Sequence, residues 1–367
     1  MKGPAILLRI IAALVALGLA ALALPLHDVV AVPVFLALVP ALALIRSAKG
    51  GLIVALAALA VMAGPGLVTF APLPDEAGTL PMLRGLLPVL LVWLLLWLAV
   101  ESLAALAPAS PLLRRVLAVA IPLIFGATIL WLWEALVAIL GVSPVILPPP
   151  SAIAARFATS LPVLWGDFVQ TVVKGALSGY VMGCGAAVLA AVAVDRSTFL
   201  QRGLLPVGNF VAALPIVGIA PILVMWFGFD WQSKAAVVVV MVFFPMLVNT
   251  VEGLKASDAM QRDLMATYGA GYWQSLWKLR LPAAMPFIFN GLKICTTLAL
   301  IGAIVAEFFG SPTQGMGFRI STEVGRLGLD MVWSEIAVAA LAGSAFYAVV
   351  AVVEKGVTFW HPSQRGR

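Results

Sequence analysis

Apolar runs of 17 or more residues without a charge recur along this 367-residue chain. No other feature constrains its fold as tightly. Each such run, wound as a helix, is long enough to cross roughly 30 Å of hydrocarbon. Inside lipid every backbone N–H and C=O must be paired within the protein, which leaves only helices and closed barrels. The runs lack the alternation of the strands of about ten residues that build an outer-membrane barrel. The chain therefore reads as all-α, a polytopic transmembrane helical bundle, in keeping with a composition that is 63% hydrophobic and 10% charged. Its two cysteines, Cys184 and Cys295, sit inside apolar runs as small buried hydrophobes, not as metal or disulfide partners. The only histidines, His27 and His361, lie in a loop and in the C-terminal tail. No constellation of side chains suits catalysis, and no catalytic or metal site is expected.

Ten spans are predicted, at about 6–24, 28–45, 50–70, 86–107, 115–140, 168–194, 203–228, 235–252, 284–309 and 332–354. With a cytoplasmic N-terminus, fifteen basic residues fall in inner segments, among them Arg114, Arg115, Arg196, Arg202, Lys255, Arg262, Lys278 and Arg280. Five fall in outer segments: Arg84, Arg156, Lys234, Arg319 and Arg326. The excess of inner positive charge predicts that both termini are cytoplasmic. It also accounts for the net charge of +6 without a nucleic-acid partner. The first span also resembles a secretory signal, with a basic start and small residues near Ala21 and Ala23. It is expected to stay in place as a helix, because three more spans follow closely.

Composition changes near "APASPLLRR" at residues 107–115, which predicts two membrane modules, 1–108 and 109–367. The first holds four Leu- and Ala-rich spans of unassigned role. The second brings polar residues into its spans: Glu134, Asn209, Asn249, Asn290, Thr296, Thr297 and Glu307, together with Pro206, Pro215, Pro221, Pro245 and Pro286. Polar groups in hydrocarbon are costly and face a cavity or a partner, so the second module is the working part. Glu134, Asn209, Asn249, Asn290, Thr296 and Glu307 are the candidates for a translocation path or gate. The asparagines and threonines suit interhelical hydrogen bonds better than a ligand role, and Glu307 equally suits the outer headgroups. Lys293 is short enough of the inner boundary to snorkel to water. Gly179 and Gly183, with Gly185 beside them, predict close helix packing.

Residues 252–283 are the exception to the apolar pattern. "ASDAMQRDLMATYG" reads as a short helix capped by Ser257 or Asp258 and ended by Gly269 in a left-handed conformation. "GYWQSLWKLRLP" reads as a second helix, with Trp273, Leu276, Trp277 and Arg280 on one face, stopping before Pro282. The product is an elbow that exposes aromatic side chains. Such a surface either waits for a partner or rests among lipid headgroups with its tryptophans as anchors.

The spacing Asp263-Leu-Met-x-x-x-Gly269, followed after eleven residues by Leu281-Pro282, resembles the cytoplasmic loop of ATP-binding-cassette (ABC) importer permeases. The pattern of that loop is Glu-Ala-Ala, three residues, Gly, a spacer and Leu-Pro. "VILPPPSAIAARF", "ALPIVGIAPILVMWFGFD", "FFPMLVNTVEGLKASD", "LPAAMPFIFNGLKI" and "IVAEFFGSPTQGMGFRI" are similar, in order, to segments of the nitrate/sulfonate/taurine branch, and the resemblance covers residues 115–362. The chain departs from the loop pattern with Asp263 for Glu and Leu264-Met265 for the alanines. The resemblance implies a type I importer permease with a core of six spans in a bacterial inner membrane. It makes Asp263, Ala266, Gly269, Ala270, Trp273, Trp277, Leu281 and Pro282 the coupling loop to a cytoplasmic ATPase subunit. It further implies an external solute-binding protein, a second permease copy and a solute that is a small anion or small polar organic such as nitrate, a sulfonate or taurine. ATP and Mg belong to the partner ATPase: this sequence has no G-x-x-x-x-G-K-[ST] loop, and the chain is expected to bind no cofactor. The alternative is a stand-alone channel or secondary transporter with the elbow lying on the membrane, although the two-half symmetry common in the latter is missing.

Overall fold

The computed structural model describes residues 110–360 except 213, 311 and 312, together with scattered helical positions between 89 and 104. The first three predicted spans and most of the fourth lie outside the described residues. Compactness divides the chain after residue 154, downstream of the composition change at 107–115. In the first unit α1 (Pro111–Ile139) is followed by the start of α2 (Pro150–Thr159).

The second unit holds α3 (Leu161–Arg196), α4 (Thr198–Ala212), α5 (Ile216–Phe227), α6 (Trp231–Lys255), α7 (Ala259–Thr267), α8 (Tyr272–Phe309), α9 (Met316–Gly325) and α10 (Leu329–Val357). Of the described helices, α1, α3, α6, α8 and α10 are long and apolar enough to cross a membrane. No strand occurs among the described residues.

The seventh predicted span, 203–228, is not one helix. The chain breaks between α4 and α5, with Pro215 at φ −66° and ψ 112° in front of α5. A proline lacks the N–H that would continue the ladder and forces the residue before it out of the helical region, so an apolar run of sufficient length still splits.

Helix α6 is the centre of the second unit, packed between α3 and α8. Small residues allow that approach. A Cβ added at Gly179 would lie 2.5 Å from the Val238 Cβ, and one at Gly183 would overlap the Val242 side chain. On the other flank a Cβ at Gly253 would meet the Phe287 Cβ at 2.8 Å, and one at Gly302 the Met241 Sδ at 2.8 Å. Gly185, by contrast, meets nothing within 4 Å and takes no part in the seam. Cys184 and Cys295 are free and buried in the same core, as small apolar side chains would be. Overpacking such a seam costs about 1–3 kcal/mol or more. Gly179→Leu is therefore expected to lower the unfolding temperature of the purified protein, whereas Gly185→Leu leaves it nearly unchanged; equal shifts would contradict the packing described.

Candidate functional site

Asp258 caps α7, its carboxylate accepting from Met260 N–H at 2.9 Å, where the sequence left Ser257 and Asp258 as alternatives. At the other end Gly269 N–H reaches the Ala266 carbonyl at 2.9 Å and Ala270 N–H the Met265 carbonyl at 3.0 Å. This pair of bonds is a Schellman motif, which requires a left-handed residue. Gly269 supplies it with φ 69°. A Cβ there would meet nothing within 4 Å, so backbone conformation and not space selects glycine.

The second arm of the elbow differs from expectation. It does not stop before Pro282 but runs on, from Tyr272, as the first turns of the long helix α8. Residues Leu276–Arg280 form a wider π-helical turn directly ahead of the proline. The ring of Pro282 would collide with the carbonyl four residues back in a regular helix, and a π-turn relieves that conflict. The elbow is thus a short helix hinged onto the end of a membrane-crossing one. Its exposed apolar side chains are Met260, Leu264 and Tyr268 at helical spacing on α7, and Trp273 (53% exposed) and Trp277 (64%) on α8. Asp263 and Ala266 are also exposed, Ala270 is half-buried, and Leu281 packs on the core with Pro282 half-buried beside it.

Three helix ends are tied together behind this surface. Asp195, near the end of α3, accepts from both terminal nitrogens of Arg280, at 2.8 and 2.5 Å, and from the Tyr272 hydroxyl at 2.9 Å. Arg280 Nε donates to the Leu254 carbonyl at the end of α6, 3.1 Å away. The Arg196 guanidinium lies 4.9 Å from the centre of the Tyr272 ring and 5.7 Å from that of Trp273. A planar fork meeting a carboxylate through two bonds fixes orientation as well as distance. Sequence reading placed Arg196 and Arg280 among the inner positive charges and gave Asp195 no role. Eighty-odd residues separate the partners, so no local pattern announces the pair.

At the far end of the bundle a second polar cluster is buried. Asp167 on α3 accepts from Arg319 Nε at 2.9 Å and from Gly315 N–H at 2.6 Å. Glu307 accepts from the Thr171 hydroxyl at 2.9 Å and from Gly317 N–H at 2.8 Å, while Thr171 accepts from Met316 N–H at 2.7 Å. Lys234 donates to the Phe229 and Gly310 carbonyls. The chain can seat on Glu307 only because residue 315 is glycine, with φ 127° and no room for a Cβ beside that carboxylate. Glu307 is therefore neither at an open surface nor among headgroups but 1% exposed at the hub of this cluster. Lys234, counted as an outer-segment charge, is inside it as well. Asp167 and Glu335 were overlooked; the available signal was a lone carboxyl within an apolar run.

Residues 179–359 match the family described as binding-protein-dependent transport system inner membrane component. A probable ABC transporter permease protein of Haemophilus influenzae is 32% identical over 219 residues, covering 59% of this chain and 87% of the relative. The riboflavin transport system permease protein of Chloroflexus aurantiacus is 30% identical, over 63% of this chain and 86% of the relative. A putative aliphatic sulfonates transport permease protein of Bacillus subtilis is 27% identical, over 66% and 88%. The chain belongs to this permease family.

The remaining polar candidates of the permease divide by environment. Glu134 accepts from Ser151 N–H at 2.9 Å and from the Ser151 hydroxyl at 2.6 Å, serving the N-terminus of α2 where a carboxylate complements the helix dipole. Asn290 donates to Asn249 at 3.1 Å, and Asn249 to the Pro245 carbonyl at 2.8 Å, so this pair does link α8 to α6. Thr296 is fully buried and bonds back to the Lys293 carbonyl. Lys293 does not snorkel; it pairs with Glu354 of α10 at 2.8 Å. Asn209 lies in α4, and its side chain is outside the described residues. Along α8, Phe287, Asn290, Ile294, Thr297 and Ile301 form an exposed face at helical spacing. No group of metal-ligating side chains gathers among the described residues.

Proposed function

We propose that this permease is the membrane subunit of an ATP-driven importer, and that the elbow of α7 and the start of α8 docks on a cytoplasmic ATPase subunit. The observation that carries the reading is the exposed stripe Met260, Leu264, Tyr268, Trp273 and Trp277, mounted through a Schellman turn on a membrane-crossing helix and clamped from behind by Asp195. A lever of that kind moves as a body and passes motion of its dock to α8, and through the Asp195 and Arg280 ties to α3 and α6. The basic residues around the elbow support its cytoplasmic placement, with both termini on the same side.

The translocated solute is proposed to be a small anion or small polar organic molecule, nitrate, a sulfonate or taurine among them, delivered by an external binding protein. The exposed face of α8 that carries Asn290 and Thr297 is the proposed wall of the path, shared with a second copy of the permease. Asn249, hydrogen-bonded to Asn290, belongs to the same wall, and Glu307 with its cluster would brace the outer end of the path. ATP hydrolysis, with its Mg, is assigned to the partner ATPase.

Aromatic anchors dominate contacts of this type at about 2 kcal/mol or more each. Trp273→Ala and Trp277→Ala are each expected to weaken retention of the ATPase tenfold or more when the complex is purified from membranes. The inserted amount of permease should not change. If both variants hold the ATPase as the parent does, the elbow is a membrane-surface anchor.

A further inference from the structure

Glu335 on α10 is 0% exposed, and among the described residues neither of its carboxyl oxygens has a hydrogen-bond donor. Its carboxyl instead lies within hydrogen-bonding reach of the Asp167 carboxyl, itself 1% exposed. Two ionised carboxylates offer only acceptors to each other and repel, so contact between them in a desolvated site requires a proton. An ionised Glu335 here would be a buried charge without a partner, among the most costly arrangements in a protein interior.

Charged and polar groups face the site from every element packed around it. From α3 come Asp167, Thr171 and Gln170; from α6, Lys234, with the exposed Asp230 just ahead of it accepting from Gln170; from α8, Glu307; from α9, Arg319; and from α10, Glu335 itself, with Asp330 a turn away and more exposed. Arg319 pairs with Asp167, while the Lys234 ammonium is held by the Phe229 and Gly310 carbonyls. Three buried carboxyl groups therefore share two cations. Asp167 already accepts two donors, Gly315 N–H and Arg319 Nε, as an ionised carboxylate does. Glu335 accepts none.

We propose that Glu335 and Asp167 form a proton-binding site in which Glu335 is a neutral acid donating its hydrogen bond to ionised Asp167. The third positive charge of the cluster is thus a proton. The site links α10 to α3 beside the turn at Gly315, so the proton holds those two elements together.

Infrared spectroscopy of the purified full-length protein at neutral pH tests this, because the C=O stretch of a protonated carboxyl group is separate from carboxylate bands. The parent should show an acid band that shifts when glutamate carries a carbon-13 label and not when aspartate does. Glu335→Gln, which keeps the shape and the donor, should lose that band and retain the parent unfolding temperature, while Glu307→Gln should keep the band. An acid band absent from the parent, unmoved by labelled glutamate or still present in Glu335→Gln would overturn the proposal. So would an unfolding temperature that rises with added sodium or potassium while no acid band is seen, which would make the third charge a metal cation. If Glu335→Gln does not accumulate, the labelled parent and Glu307→Gln decide: a glutamate band that persists in Glu307→Gln supports the site, and one that disappears there overturns it.

Discussion

Asp195→Ala is expected to produce the largest loss of any single change at the elbow end. The carboxylate holds Arg280 through two bonds and Tyr272 through a third, and its removal leaves a guanidinium without its counter-charge where the side chains are only 15% and 12% exposed. Breaking such a pair costs on the order of 2–4 kcal/mol, toward the lower side of fully buried pairs because a little solvent reaches it. Arg280→Ala should cost a similar amount, and the double variant little more than either alone, because both remove one interaction. Unfolding temperatures of the four proteins measure this. Additive losses would mean that the two residues act separately and that no clamp exists. If the clamp passes motion to α3, Asp195→Asn should also transport less solute per ATP in vesicles than the parent. A variant with transport and hydrolysis in the parent ratio would leave the clamp a role in stability alone.

Gly269→Val is expected to leave the permease in the membrane and remove its transport. Valine is strained at φ 69°, by about 1–3 kcal/mol, and the simplest relief is to rotate α7 away from α8. That cost is small beside the packing of the bundle but equals a typical coupling free energy, about 1–3 kcal/mol. Because open space surrounds the position, no clash contributes, and Gly269→Asn, which tolerates the left-handed region, should keep most of the activity. Uptake and solute-stimulated hydrolysis in reconstituted vesicles check the pair. If valine and asparagine behave alike, the turn conformation has no part in coupling.

The membrane-crossing helices, the elbow and its left-handed glycine were legible because each is a local property. A charge-free run has a length, and a Gly after helical spacing has one conformational use. The same locality explains the misreadings. Residues 203–228 carry no charge, and hydropathy does not register the break that Pro215 makes. Pro282 looked like a stop because a proline ends a regular helix, whereas a π-turn lets α8 continue through it.

Among the polar residues, the sequence picks out single side chains without being able to choose their partners. It singled out Glu307 and Asn249 but could not see that Glu307 is enclosed by Thr171, Gly315 and Gly317, or that Asn249 meets Asn290. It passed over Asp195, Asp167 and Glu335, whose roles exist only where α3 meets α8, α9 and α10. What the sequence determined alone is therefore the solvent, the class of fold and the place of the elbow, since these follow from runs and spacings along one segment. What the tertiary structure decided is which charges are satisfied and by whom, because a buried ion pair or carboxyl pair is a property of two segments brought together, and no segment carries it by itself.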